Sequence, residues 1–277
     1  MDISYNQLTL NNEISRKNSQ ISFHTAKKLY YAGIRFYRGI KTNANSFIQV
    51  PKERTSTSGK KNSNMVNRMV SEVLPSWTSY PRRTFCMCIG TSLSMVERYA
   101  GDTGMVYVAF PSDDALLAIS PRHDFWRCFC KELNSDVNFI GEVFGLINEK
   151  YFNESFNLDL AEDIGKFFLA VDSIPNKEDA LLTNGIINLL PSIIDDEPFH
   201  FLDGLAKAKK SKNFVEEYLN PDIHGFQLCN LNSDLSFCKG EQREVWTENP
   251  CLMIRADLVD SLSEEYFLKN MNGGSID

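Results

Sequence analysis

Residues 84–100 read Thr84-Phe-Cys-Met-Cys-Ile-Gly90-Thr-Ser-Leu-Ser-Met-Val-Glu-Arg-Tyr-Ala100, and the fold turns on the change of rhythm inside this stretch. Up to Gly90 it is apolar enough for a buried strand. Thr91 or Ser92 then stands where a helix N-cap belongs, 92–100 has helical spacing, and Gly101 follows where such a helix stops. Upstream, Gly33-Ile-Arg-Phe-Tyr-Arg-Gly-Ile40 alternates, with Ile34 and Phe36 on one side and Arg35 and Tyr37 on the other, which predicts another strand. Between these strands, 52–64 is rich in Ser, Thr, Lys and Asn and reads as a surface loop. The spacing of Met65, Val66, Met69, Val70 and Val73 then predicts a helix ended by Pro75.

Downstream, 105–110 is a strand pattern stopped by Pro111, and 115–119 another stopped by Ser120-Pro121. Phe139, Ile140, Val143, Phe144 and Ile147 share one helical face. Helical patterns follow at 160–171, 177–190, 199–210 and 214–219, between turn residues Pro175, Pro191 and Pro221. Strand character returns at 225–229, 244–246 and 251–254, and 258–269 is an amphipathic helix. The expectation is a single α+β domain over 1–277 with a helical insertion at about 136–224.

The composition narrows the function classes. Of 277 residues, 43% are hydrophobic and 23% charged, which excludes a disordered chain, a collagen-like rod and a coiled coil. A net charge of −7 argues against a general nucleic-acid binder. Seven cysteines are too few for a disulfide scaffold, and the polar stretch 1–20 carries no secretory signal, so the expected compartment is cytoplasmic. No apolar run nears the roughly 20 residues that span a bilayer, so no membrane partner is expected.

Three segments carry candidate chemistry: Phe36-Tyr-Arg-Gly-Ile40, Ile89-Gly-Thr-Ser-Leu-Ser-Met-Val-Glu-Arg-Tyr-Ala100 and Gly240-Glu-Gln-Arg-Glu-Val-Trp246. In this order they resemble the arginine / Ser-Thr-Ser / glutamate signature of ADP-ribosyltransferases. The resemblance covers about a tenth of the chain and implies a split, mostly antiparallel β-sandwich with NAD bound between the sheets. It places Arg38 and Gly39 with Thr91 and Ser92 as NAD-binding residues, and Ser92, Gln242 and Glu244 as catalytic ones. Glycosidic cleavage of NAD passes through an oxocarbenium-like sugar, which a preorganised carboxylate stabilises. That is the role implied for Glu244. Arg38 offers a planar fork of donors suited to the pyrophosphate or ribose. Thr91 and Ser92 would orient the glutamate and line the nicotinamide pocket. Gln242, or Glu241 if the register slips by one, would meet the acceptor.

The activity implied is mono-ADP-ribosyl transfer from NAD to a macromolecule, a protein rather than a nucleic acid. Two alternatives stand beside it: a binding module that keeps the fold without the chemistry, and an NAD glycohydrolase. The polar start and the motif set also resemble phage and prophage proteins, which implies a host bacterial cytoplasm. The chain departs from the signature at Gly90, which replaces the first Ser. A literal Ser56-Thr57-Ser58 lies in the polar loop, with no apolar strand leading into it.

Each residue also has a plainer reading. Arg38 fits a strand-end ion pair, Thr91 and Ser92 fit a helix cap, and Glu244 fits an exposed strand position opposite an inward Val245. Cys86-Met-Cys88 and Cys128-Phe-Cys130 would each put both thiols on one strand face, but structural zinc prefers two to four residues between paired ligands, so they read as buried apolar residues rather than a metal site. A nucleophile pair of Cys229 or Cys238 with His224 has no spacing to support it, and no Walker loop, GxGxxG or HExxH occurs. Asp124-Phe-Trp126 reads as core packing, or as an aromatic contact to the dinucleotide if the resemblance holds. Lys207, Lys209, Lys210 and Lys212 read as a solvated helix end, or as a contact for an acidic partner.

Overall fold

Among the described residues, eight strands, all paired antiparallel, run in the spatial order β2-β8-β4-β1-β3-β7-β5-β6. They are β1 (Tyr37–Ile40), β2 (Ser46–Gln49), β3 (Met87–Gly90), β4 (Met105–Pro111), β5 (Leu116–Ile119), β6 (Gln227–Asn230), β7 (Glu244–Thr247) and β8 (Cys251–Arg255). The helices are α1 (His24–Tyr31), α2 (Met65–Arg68), α3 (Leu93–Ala100), α4 (Phe139–Phe152), α5 (Ala161–Asp172), α6 (Glu197–Lys207), α7 (Ser211–Tyr218) and α8 (Ala256–Val259). This is a mixed helix and antiparallel-sheet architecture of the α+β class. The computed structural model describes residues 21–53, 64–130, 137–183, 185–187, 189 and 197–259.

The chain divides into two compact units. One comprises 1–52, 85–123 and 227–277 and holds the whole sheet; the other comprises 53–84 and 124–226 and is helical among its described residues. All described helices between β5 and β6 belong to the second unit, which also takes in 53–84, a stretch the helical pattern alone did not attach to it.

In the sheet unit, β8 is buried at Cys251, Leu252, Met253 and Ile254 alike, because it lies between β4 and β2 with side chains covered on both faces. Edge strand β6 is exposed at three of its four residues. The core gathers Phe36, Ile89, Tyr107, Ile119, Val245 and the buried β8 residues, with Ala26 and Tyr30 of α1 and Phe23 just before it.

The β1–β3 junction differs from the other pairings. β1 pairs β4 through four register positions, and β3 pairs β7 through four, but β1 and β3 meet at one, Tyr37↔Gly90. The sheet is therefore two four-stranded halves, β2-β8-β4-β1 and β3-β7-β5-β6, pinched together at this pair.

Several element readings change. The predicted helix at 65–74 is α-helical only over Met65–Arg68, and Met69–Val73 continues in the wider π winding before Leu74 turns extended ahead of Pro75. The pattern at 177–190 yields one π turn, Asp179–Thr183, with residues 184, 188 and 190 outside the described set. Cys128 and Cys130 are buried in an irregular turn after the 3-10 turn Phe125–Arg127, not on a strand. Strand β2 appears where no strand was predicted; its four residues gain their ladder from distant β8. The Ser56-Thr57-Ser58 alternative lies outside the described residues, as does the expected final helix beyond Val259.

Candidate functional site

The three motif segments, distant along the chain, share one register line. Tyr37 of β1 pairs Gly90 of β3, and Gly90 in turn pairs Glu244 of β7. Arg38 and Gly39 follow Tyr37, Thr91 and Ser92 follow Gly90, and Gln242 and Arg243 precede Glu244. The backbones of all predicted site residues thus meet at the pinch between the two half-sheets.

Thr91 is the fastener. Its amide donates to Arg243 O at 3.1 Å, its hydroxyl donates to Glu241 O at 2.5 Å, and the hydroxyl accepts from Arg243 N at 2.9 Å. Residues 241–243 lack regular structure, so these bonds fix where Gln242 is presented. Gln242 itself is exposed. Ser92 occupies the N-cap position of α3, but its side chain makes no capping bond; its hydroxyl lies 3.0 Å from Ser94 Oγ. The cap expected of Thr91 or Ser92 is therefore not made by a side chain: one hydroxyl holds the Glu241–Arg243 segment and the other faces Ser94.

Glu244 is half-buried at the start of β7. Its amide lies 3.1 Å from both Arg122 O and Ser120 Oγ, and its carbonyl accepts from Ser120 N at 2.9 Å. Val245, Trp246 and Thr247 after it are all buried, because β7 is an inner strand between β3 and β5. The expected alternation of an exposed Glu244 with inward neighbours on one face only does not describe this strand.

The two glycines are explained by α3. A Cβ on Gly39 would press on the Val96 carbonyl oxygen and stand 2.5 Å from the Ala100 nitrogen. The helix backbone rests directly on β1, and only glycine permits that approach. A Cβ on Gly90 would lie 2.9 Å from Val96 Cγ1 and 3.0 Å from Met95 Sδ, so the place of the first Ser in the signature is filled by the α3 side chains.

Arg38 is placed differently from the rest. Its Nη1 donates to the Cys88 carbonyl across the pinch. Side chains alternate along a strand. Gly39 and Gly90 both point toward α3, and Glu244 lies opposite Gly90, so Glu244 leaves its strand on the α3 side while Arg38 leaves β1 on the other. The backbone register brings Arg38 and Glu244 close; their side chains depart on opposite faces.

Two participants escaped the sequence reading. Ser120, fully buried, bonds both the amide and the carbonyl of Glu244, and Arg243 Nη1 donates to Ser120 O at 3.3 Å with its guanidinium 5.4 Å from the Phe237 ring centre. In the sequence Ser120-Pro121 reads only as a strand stop, since nothing local says that a serine meets a residue more than a hundred positions away.

The remaining candidates resolve into packing. Phe125 is fully buried in the helical unit, with Phe129 at 5.1 Å, Trp77 at 6.1 Å and the Arg83 guanidinium 4.2 Å from its ring centre. Asp124 accepts from Trp126 N at 3.0 Å, a local cap. His224 Nε2 lies 2.8 Å from Tyr218 O, and burial pushes the Cys238 thiol up to about 11, which disfavours the thiolate a nucleophile needs. Cys86 and Cys88 hold their sulfurs 3.7 Å apart. Among the described residues no group of three or more His, Cys, Asp or Glu side chains gathers as a metal site, and no helix is long and apolar enough to cross a membrane.

No family model, curated protein or solved structure matches the chain.

Proposed function

We propose that the cluster at the pinch is an NAD site and that the protein is an ADP-ribosyltransferase-like enzyme transferring ADP-ribose to a protein acceptor. The observation that carries this is the register line Tyr37↔Gly90↔Glu244, which joins at one point the three segments that resemble the arginine / Ser-Thr-Ser / glutamate signature. The narrow junction between two antiparallel half-sheets also fits the split sandwich which that resemblance implies. In this reading the bond between nicotinamide and ribose breaks, nicotinamide leaves, and Glu244 steadies the positive charge that develops on the sugar. Thr91 holds Gln242 toward the acceptor and Ser92 supplies a hydroxyl not engaged in capping, while Arg38, tied to the Cys88 carbonyl on the other face, and Gly39, covered by α3, act by holding the frame. The test is nicotinamide release from NAD by the wild type and by Glu244→Gln. Loss of a preorganised charge-stabilising group predicts a fall of about 10²-fold or more; equal release by both overturns the catalytic assignment.

A second reading is favoured by one observation: Arg38 is tied to the Cys88 carbonyl, and α3 side chains fill the space beside Gly90. A fold that keeps the frame while its arginine serves β3 is a binding module without turnover. NAD binding in a calorimeter with no nicotinamide released selects it. Free ADP-ribose with no modified protein selects the glycohydrolase instead.

A further inference from the structure

The helical unit carries a cationic hollow that the NAD reading does not use. Helices α6 and α7 are joined by Ala208-Lys209-Lys210, and this link is pinned from one side. Lys177 Nζ donates to Ala208 O at 2.6 Å and stands 3.4 Å from Asp172 Oδ1. Asp172 Oδ1 accepts from Ser211 N at 2.8 Å and from Ser211 Oγ at 2.6 Å. The carbonyl just after α6 and the first amide of α7 are thus both satisfied, and the link is held while the Lys209 and Lys210 side chains remain exposed. Neither lysine pairs with a described carboxylate, whereas Lys207 bridges Asp203 at 2.7 Å.

Beside the link lies an open hollow of about 560 Å³, edged by Lys207, Lys209, Lys210, Asn213 and Glu217, with Phe214 as its apolar wall. The Phe214 ring lies on the α6 backbone, since a Cβ on Gly204 would stand 2.6 Å from Phe214 Cζ. Four lysines within 207–212 concentrate positive charge in a chain of net charge −7. Aromatic wall and fixed cations in one hollow favour a ligand that is apolar at its centre and anionic at its flanks.

We propose that this hollow docks an acidic segment of a partner protein, with an apolar side chain seated against Phe214 and flanking carboxylates meeting Lys209 and Lys210. The openness suits a chain lying across the surface rather than an enclosed small molecule, which a pocket normally buries over most of its area. The lysines come from one short segment rather than a stripe along the surface, which suits a short acidic segment better than a continuous phosphodiester track.

The test needs no NAD and is independent of Glu244. A labelled peptide with one Phe flanked on both sides by Glu is titrated into the full chain and followed by fluorescence anisotropy. Saturable binding is expected, weakening as salt rises. Lys209→Glu/Lys210→Glu is expected to weaken it by about tenfold or more, the size of two exposed charge contacts reversed. Replacing the peptide's Glu by Gln does the same. Lys212→Glu, off the hollow, leaves affinity within about twofold. No saturable binding, an equal loss in Lys212→Glu, no loss in the double variant, or tighter binding of a single-stranded oligonucleotide of equal charge overturns the proposal. Lys209 and Lys210 are exposed and Lys212 is half-buried, and an unchanged circular dichroism melt confirms that the variants fold.

Discussion

The chemistry of Lys27 departs far from its solution behaviour. It lies on α1 with 1% of its surface exposed, and burial lowers its ammonium to about 7 against the attraction of Asp113. Burial alone would raise the Asp113 carboxyl, but bonds from Ser22 Oγ at 2.5 Å and Thr25 N at 2.7 Å hold it below its ordinary value. For Lys27 the folded value lies below the unfolded 10.5, so between about pH 7 and 10.5 the unfolded chain binds more protons and stability rises with pH. Below pH 7 both states carry the proton and the burial penalty is present in full. Lys27→Met, which keeps an unbranched side chain without the charge, is expected to melt at a higher temperature than the wild type at pH 7, with the difference closing toward pH 10. Melts across that range by circular dichroism check it, and a gap that does not change with pH refutes the linkage.

At the scale of elements, α3 on β1 decides the site's shape. Strand and helix touch backbone to backbone at Gly39, and a Cβ there meets main-chain atoms of Val96 and Ala100 that cannot rotate away. Gly39→Ala is expected to cost about 3 kcal/mol, the upper end of overpacking, or to displace α3. Urea unfolding reads the loss, and a cost below about 0.5 kcal/mol, typical of an unconstrained surface change, refutes the close seat. Gly90 differs, because its neighbours are side chains: Met95 is unbranched and adaptable, whereas Val96 is stiff. The sequence reading gave Gly39 to the dinucleotide; the structure gives it a sufficient packing reason.

At the scale of the whole molecule, the sheet that organises one of its two units has its weak line at the pinch. One register pair joins the half-sheets, and the Arg38 guanidinium bridges the same gap to the Cys88 carbonyl. A charged donor on a partly buried carbonyl contributes about 1.5–3 kcal/mol, so Arg38→Ala is expected to lower stability by that order. Hydrogen exchange is expected to quicken at β1 and β3 more than at β4 and β8, which keep their five-position ladder. Unchanged exchange at β3 shows that the bridge carries no weight.

The sequence by itself determined the class of the molecule and most of its elements. Apolar 84–90 changing to helical spacing at 92–100, the apolar run 105–110 and the facing residues Phe139 to Ile147 report local burial and local periodicity, which a chain carries in its own order. It also placed the three motif segments in chain order. Only tertiary structure decided what these residues do together. β2 exists because β8 offers it a ladder. The 53–84 stretch joins the helical unit through contacts no local pattern encodes. Ser120 becomes a partner of Glu244 across 124 positions. Arg38 and Glu244, neighbours by register, separate because alternation sends side chains to opposite faces, and that depends on which residues pair, not on which residues they are.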